Sequence, residues 1–256
     1  MKKLSSFLCG LAVLGMMFTS CDGGNGGNGG GPVEDIVEDG FYVVGEATAF
    51  ASLQDAGSAA SIMAAGTNEN AANAAREGMY EKYIALEGGK PFQLVLKEGE
   101  TETVYGAELA EVALSGNDQP TITVQRGKMV ENTTMQVPAD GLYMVYVNLA
   151  DNKLTIEPAA VYGIGDCFGA WDAKMEAAKF AVSEDGKSLT MTVPADGNLR
   201  MYAESTAATS NWWTREFNIF EGKIEYRGNG GDQPFVPITA GQVITLNFVD
   251  DTATIQ

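Results

Sequence analysis

The sequence of 256 residues contains no histidine. A Ser-His-Asp triad, a Cys-His pair and a His-ligated metal site are therefore excluded. Basic residues are also scarce, with 16 Lys and Arg against 34 Asp and Glu and a net charge of −18. A surface of this sign repels phosphate backbones, so we expect no nucleic-acid partner. These absences leave carboxylate-based chemistry as the catalytic class to consider.

The first 21 residues have the pattern of a bacterial lipoprotein signal peptide. Lys2 and Lys3 precede an apolar stretch from Leu4 to Phe18, which is too short to span a bilayer core of ~30 Å comfortably. Residues 18–21 resemble a lipobox that ends in Cys21, the residue that would be acylated. An ordinary secretory signal with an accidental cysteine is the alternative. Residues 22–39 are rich in glycine and predict a flexible tether between the lipid and a folded body.

Cysteine is rare, with three residues in the whole chain. Cys9 leaves with the signal peptide and Cys21 carries lipid, so Cys167 stands alone and no intrachain disulfide is expected. Because the chain has no histidine to lower a thiol pKa, we interpret Cys167 as a small core or loop residue rather than a nucleophile. Removal of Lys2 and Lys3 changes the net charge from −18 to about −20, since −18 − 2 = −20. Such a surface suits a neutral ligand, and no cofactor is predicted.

The rest of the chain alternates with a period of two and predicts an all-β fold. Apolar runs such as residues 41–44, 143–147 and 243–248 are separated by turn signals such as Asp140-Gly141 and Asp196-Gly197. The pattern of residues 41–46 recurs at 161–166, and Asp118-Gln119-Pro120 recurs at 232–234. We therefore predict two tandem β-sandwich domains of the Ig-like or carbohydrate-binding-module-like kind, over 40–157 and 158–256.

One segment departs from this pattern. Residues 49–76 are rich in Ala, Asn, Gly and Ser and have few large apolar side chains. This composition predicts a long loop or one or two short helices on the first domain.

All three tryptophans lie in the second half, at positions 171, 212 and 213. Adjacent side chains of a strand point to opposite faces, so we expect at least one of the three rings in the core and at least one exposed. An exposed indole can stack on the C–H face of a pyranose ring, while nearby polar groups bond the sugar hydroxyls. The candidate glycan-binding residues are Trp171, Trp212, Trp213, Arg200, Tyr202, Asn211, Arg215 and Lys223.

A motif around the first tryptophan resembles a known family. Gly165-Asp166-Cys167-Phe168-Gly169-Ala170-Trp171-Asp172 follows a short strand, and a later Trp motif and Gly-Asp-Gln-Pro lead into a terminal hairpin. This arrangement is similar to the C-terminal domain of the SusE/SusF group, outer-membrane lipoproteins of starch-utilisation systems. Residues 80–92 and 137–143 resemble the β domain that precedes it in that group.

The resemblance implies a surface-exposed, non-catalytic glycan-binding lipoprotein of the outer membrane, held by lipid on Cys21. Its partners would be a glycan, a TonB-dependent transporter and another glycan-binding lipoprotein. In that group starch units stack on aromatic rings beside a basic residue, which matches Trp212 or Trp213 and Arg200 here. The first domain has no tryptophan and is expected to be a spacer.

Four alternatives to glycan binding remain, and three of them use residues of the same half. A glycoside hydrolase would need a pair of acids from Glu204, Glu216, Glu221 and Glu225. Residues 163–169 roughly imitate a dinucleotide-binding loop, and residues 173–179 could be helical. Asp166, Asp172 and Asp232 have the oxygen donors that calcium prefers, although capping of loops explains them equally well. A structural or adhesive surface lipoprotein is the fourth.

Overall fold

The computed structural model describes residues 37–55, 57–68, 74–114, 122–206, 212–227, 231–248 and 250–256. The predicted signal peptide, lipobox and most of the tether lie outside these residues, as do Asn211 and residues 118–120. No helix in the described ranges is long and apolar enough to cross a membrane.

The described chain is all-β, as predicted. Nine strands form the first sheet: β1 (Gly40–Val44), β2 (Ala64–Asn68), β3 (Ala74–Leu86), β4 (Gln93–Glu98), β5 (Thr101–Ala107), β6 (Ala110–Leu114), β7 (Ile122–Glu131), β8 (Gly141–Asn148) and β9 (Lys153–Pro158). Their order is β1-β4-β5-β7-β9-β8-β3-β2, with β6 paired to β7. The sheet curls and encloses a core that includes Phe41, Phe92, Leu94, Val145 and Ile156.

The second sheet continues directly from the first. Its strands are β10 (Val161–Gly163), β11 (Ala181–Val182), β12 (Ser188–Thr192), β14 (Met201–Ala203), β15 (Glu216–Phe220), β16 (Lys223–Tyr226), β18 (Val243–Asn247) and β19 (Thr252–Ile255). They follow the order β10-β14-β15-β16-β19-β18-β12-β11. A separate two-stranded sheet joins β13 (Gly197–Asn198) and β17 (Pro237–Ile238). Short 3-10 helices occur at Ser58–Ser61, Asp166–Phe168, Glu176–Ala178 and Trp212–Arg215.

The central strands β3 and β8 contribute to two cores. Ile84 and Val145 belong to the core of the first sheet. The alternate residues Tyr83 and Met144 instead pack with the core of the second sheet. Since successive side chains of a strand point to opposite faces, this pair of strands is buried on both sides. The ring centroid of Tyr83 is 4.9 Å from that of Phe248 in the second core.

Polar contacts also join the two sheets. Lys82 of β3 forms an ion pair of 2.6 Å with Asp251, just before β19. The carboxylate of Glu157, at the end of the first sheet, accepts a hydrogen bond of 3.0 Å from the backbone N–H of Thr206 and another from the Ser205 hydroxyl. The phenol of Tyr83 donates to the carbonyl of Ala160 over 3.2 Å.

The prediction for residues 49–76 is partly wrong. The segment holds a short 3-10 helix at Ser58–Ser61, as expected, but its second half forms β2 and the start of β3. The two strands pair in an antiparallel hairpin with an irregular register between Ala65 and Thr67. Backbone pairing with an existing strand therefore outweighs the weak strand propensity of Ala, Asn and Gly.

Candidate functional site

The candidate site lies on the outer face of the second sheet, where β10, β14 and β15 are neighbours. Tyr162 faces Tyr202 across β10 and β14, and Tyr202 faces Glu216 across β14 and β15. Met201 and Phe217, one position further along, belong to the core. Because side chains alternate along strands, Tyr162, Tyr202 and Glu216 form a row on the other face.

Aromatic rings continue from this row towards solvent. The centroids of Tyr162 and Tyr202 are 5.9 Å apart, as are those of Tyr202 and Trp212, and Trp212 is 6.4 Å from Trp171. Exposure increases in the same direction: Tyr202 is fully buried, Trp212 is half-buried and Trp171 is 53% exposed. We call Trp171 and Trp212 the indole platform. Its outer ring offers a flat apolar face to a ligand.

The loop motif of residues 165–172 explains how Trp171 is held. Gly165 and Ala170 form a β-bridge, which brings the indole back over Gly165. Gly165 has φ +96°, a backbone conformation that favours glycine, and the Trp171 ring packs over it. The indole N–H donates a hydrogen bond of 3.1 Å to Asp166 Oδ1. The motif therefore fixes the orientation of an exposed ring.

Arg200 lies beside both rings of the indole platform. Its Cζ is 5.6 Å from the Trp171 centroid and 5.5 Å from the Trp212 centroid. Its Nε and Nη2 donate to the two oxygens of Glu216 over 2.5 and 2.9 Å, and Nη2 also reaches Asp232 Oδ1 at 3.3 Å. The hydrogen bond with Glu216 raises the pKa of Arg200. Nη1 makes no hydrogen bond to the described residues, so one guanidinium edge has a donor to offer.

A second arginine completes the ion network. Arg227 Nη1 lies 2.7 Å from Glu216 Oε2 and 2.9 Å from Asp232 Oδ1. The Cζ of Arg227 is 5.4 Å from the ring of Trp213, which is half-buried. Glu216 is buried, so its charge is balanced by two guanidinium groups rather than by water. Through this network Trp213 supports the position of Arg200 indirectly.

The remaining predicted residues do not all meet at the platform. Tyr202 lies beneath Trp212, accepts a hydrogen bond of 2.8 Å from the Lys174 backbone N–H, and has its pKa raised to about 12 by burial. Arg215 is buried, and its Nε donates to the Ala203 carbonyl over 2.6 Å. Lys223 is exposed but begins β16 at the far end of the hairpin from Glu216, opposite Phe220. Asn211 lies outside the described residues.

Two expectations about the tryptophans are corrected. Trp212 and Trp213 lie on a 3-10 helix, not on a strand, so they are not directed to opposite faces of a sheet. None of the three indoles is among the buried core residues, although Trp212 packs half-buried against Tyr162 and Tyr202. The large aromatic side chains of the second core are phenylalanines instead. The expectation of at least one exposed indole is confirmed by Trp171.

The acids proposed for hydrolysis either form ion pairs or are exposed to solvent. Glu216 is held by Arg200 and Arg227, and Glu204 forms ion pairs with Lys174 and Arg215 at 3.2 and 3.4 Å. Glu221 and Glu225 are exposed, on the hairpin between β15 and β16 and on β16 itself.

The structure also disfavours the calcium site at Asp166 and Asp232 and the dinucleotide-binding loop at residues 163–169. Asp166 accepts from Trp171, and Asp232 faces two arginines, which disfavours a cation there. Among the described residues no group of three acidic or cysteine side chains could hold a metal ion. Residues 166–168 form a 3-10 turn that leads into hairpins instead of a βαβ unit.

Cys167 is buried and free, as predicted, and burial raises the pKa of its thiol.

One feature that sequence reasoning missed is the pairing of Arg227 with Glu216. Arg227 lies 14 residues after Trp213 in the sequence, and the register of β15 and β16 brings it opposite Glu216. A cavity of about 290 Å³ also lies between the two sheets, lined by Phe50, Lys82, Asp140, Asp185 and other residues. None of the predicted site residues lines this cavity.

An exposed indole and a half-buried one, beside a guanidinium group, have the chemistry to stack on a pyranose ring and bond its hydroxyls. Part of the chain also matches a family of known proteins. Residues 160–255 match the family model described as SusF/SusE starch specific CBMs. The resemblance to the SusE/SusF group is thereby confirmed for this part of the chain.

The chain is also similar to a characterised protein and to a solved structure. Over 133 residues it is 37% identical to Outer membrane protein SusF of Bacteroides thetaiotaomicron. The aligned segment covers 49% of this chain and 27% of that protein. The chain thus matches well under two thirds of the relative. The crystal structure of SusF from the same species aligns with 86% of this chain and 72% of its own, at 19% identity and a TM-score of 0.44.

Proposed function

We propose that the second sheet binds a starch-type α-glucan without cleaving it. The observation that carries this proposal is the indole platform with the free Nη1 donor of Arg200 at its edge. A neutral sugar meets a flat apolar face and a donor held in place by Glu216, and the acidic surface does not repel it. The family model that matches residues 160–255 supports starch as the glycan.

The binding role needs no catalytic group, and the acids of this region support that view. Both oxygens of Glu216 accept hydrogen bonds from arginines, so this carboxylate is not available as a nucleophile or general base. The chain would hold a polysaccharide and present it to other proteins.

The cellular setting forms part of the proposal. Lipid on Cys21 would anchor the protein at the outer-membrane surface, and the similarity to an outer membrane protein supports that location. Capture of a glycan there would serve a TonB-dependent transporter, together with a second glycan-binding lipoprotein.

Retention on an amylopectin affinity gel tests the binding role. We expect Trp171→Ala and Trp212→Ala to lose most of the retention, because each removes half of the indole platform. Val130→Ala is the matched control: this side chain is 40% exposed on β7 of the first sheet. If the wild type is not retained, or if both tryptophan variants are retained as strongly as the control, the proposed function is wrong.

A further inference from the structure

Phe235 is the most exposed large apolar side chain of the described residues, at 75%, and Trp171 at 53% is the next. Single exposed apolar side chains are ordinary on protein surfaces. These two, however, share a neighbour. Arg200 lies against the Trp171 ring and also lines a small cleft of about 70 Å³ together with Phe235.

The backbone fixes the loop that presents Phe235. Leu199 N–H donates a hydrogen bond of 2.8 Å to the carbonyl of Val236, so the two residues adjacent to Arg200 and Phe235 are joined directly. Pro234 precedes Phe235 and restricts the backbone there. The ring is therefore exposed on a segment that is held against the start of β14, and not on a free loop tip.

A side chain of the same loop anchors the wall of the cleft. Gln233 lines the cleft, and its side-chain N–H₂ donates to the carbonyl of Glu225 in β16 over 2.8 Å. Its amide oxygen is closed to solvent, so a ligand does not reach it. The acceptor that a ligand can reach is the carboxylate of Asp232, whose side chain is 73% exposed.

We propose that the cleft between Arg200 and Phe235 is a second sugar position, which binds the next part of a glucan chain already stacked on the indole platform. This inference rests on the proposed function. Phe235 supplies a second stacking face, and the exposed Asp232 carboxylate accepts a hydrogen bond from a sugar hydroxyl. The site then prefers oligosaccharides that reach both positions over shorter ones.

Titration calorimetry with maltose and maltoheptaose tests this preference on the full mature chain. Because Phe235→Ala removes one stacking ring, we expect it to weaken maltoheptaose binding roughly 3- to 10-fold. Its affinity for maltose should be unchanged. Phe235→Trp should restore the affinity for maltoheptaose. Because Phe235 is exposed, its replacement does not disturb the core, and Val130→Ala serves again as the control.

The outcomes separate the two proposals. If Phe235→Ala leaves maltoheptaose binding unchanged while Trp171→Ala weakens it, the second position does not exist and the proposed function stands. An equal loss for maltose and maltoheptaose in Phe235→Ala also overturns the second position, since the effect would then not depend on chain length. If the wild type binds neither sugar, both proposals are wrong.

Discussion

The indole N–H of Trp171 donates to the carboxylate of Asp166, five residues earlier in the chain, over 3.1 Å. This hydrogen bond closes the loop that begins at Gly165, and it turns one face of the ring outward. The most exposed indole of the described chain is thus also a restrained one. A preorganised ring loses less conformational entropy when a ligand stacks on it.

The first prediction concerns this hydrogen bond. We expect Asp166→Ala to weaken binding to amylopectin about 3- to 10-fold, because the ring loses an orienting contact worth about 1 kcal/mol. Asp166→Asn should bind nearly as well as the wild type, since an amide oxygen can still accept from the indole. Affinity electrophoresis gives the comparison. Equal binding by the alanine variant and the wild type would show that Asp166 does not position the ring.

The second prediction concerns Glu216. Its replacement by alanine leaves Arg200 and Arg227 with Asp232 as their shared carboxylate partner, so we expect a loss of about 2–3 kcal/mol in the free energy of unfolding. Urea unfolding followed by tryptophan fluorescence measures it. Asp232→Asn is the control: the Asp232 side chain is 73% exposed, and its loss should cost less than about 1 kcal/mol. Similar losses for both variants would contradict the central role given to Glu216.

The third prediction concerns pH. Burial raises the pKa of Glu81 from 4.5 to about 7, with Arg215 opposing the shift and Glu157 adding to it. Between these two values the folded protein keeps a proton that the unfolded chain releases. This group therefore makes the free energy of unfolding fall as the pH rises from about 4.5 to about 7, and the penalty is complete above that.

Glu81→Gln removes this ionisation. We expect the variant to be more stable than the wild type at pH 8 by about 1–2 kcal/mol, with the difference disappearing near pH 4.5. Urea unfolding at pH 4.5, 6 and 8 checks both the sign and the window. Glu225→Gln, at an exposed position of β16, should show no such dependence. A constant difference across the three pH values would mean that Glu81 does not titrate in this range.

The fourth prediction concerns Tyr83, whose ring packs in the core of the second sheet although it belongs to β3. Tyr83→Ala removes a fully buried aromatic side chain, and we expect a loss of about 3–5 kcal/mol. Hydrogen exchange should report faster exchange in β18 of the second sheet as well as in β3. Acceleration confined to the first sheet would argue against the shared core. Tyr83→Phe, which loses the hydrogen bond to Ala160 alone, is the conservative comparison.

The strands with strong alternation could be predicted from sequence because their apolar faces determine their register. Residues 143–147 and 243–248 are examples, and both form strands close to the predicted bounds. Strand β2 could not be recognised, because its small residues have little strand propensity and pair through the backbone. The prediction that Trp212 and Trp213 lie on a strand was wrong for a similar reason, because the 3-10 helix at 212–215 depends on its tertiary surroundings.

Part of the candidate site also followed from sequence. Trp171, Trp212 and Arg200 were among the residues predicted to bind a glycan, and the structure brings both indoles next to Arg200. The burial of Tyr202 and Arg215 could not be predicted from the sequence. It depends on which face of β14 is covered, and on which side of the 212–215 turn is covered. Arg227 and Phe235 were missed because strand register and a loop contact, rather than a motif, bring them to Arg200.

The double burial of β3 and β8 has a practical consequence for biotechnology. A fragment that starts at residue 160 would leave the apolar surface that Tyr83, Leu142 and Met144 normally cover in contact with water. Fused to another protein as a portable starch tag, such a fragment should aggregate or bind poorly. A usable tag would have to retain the first sheet, because that sheet covers the apolar surface of the second.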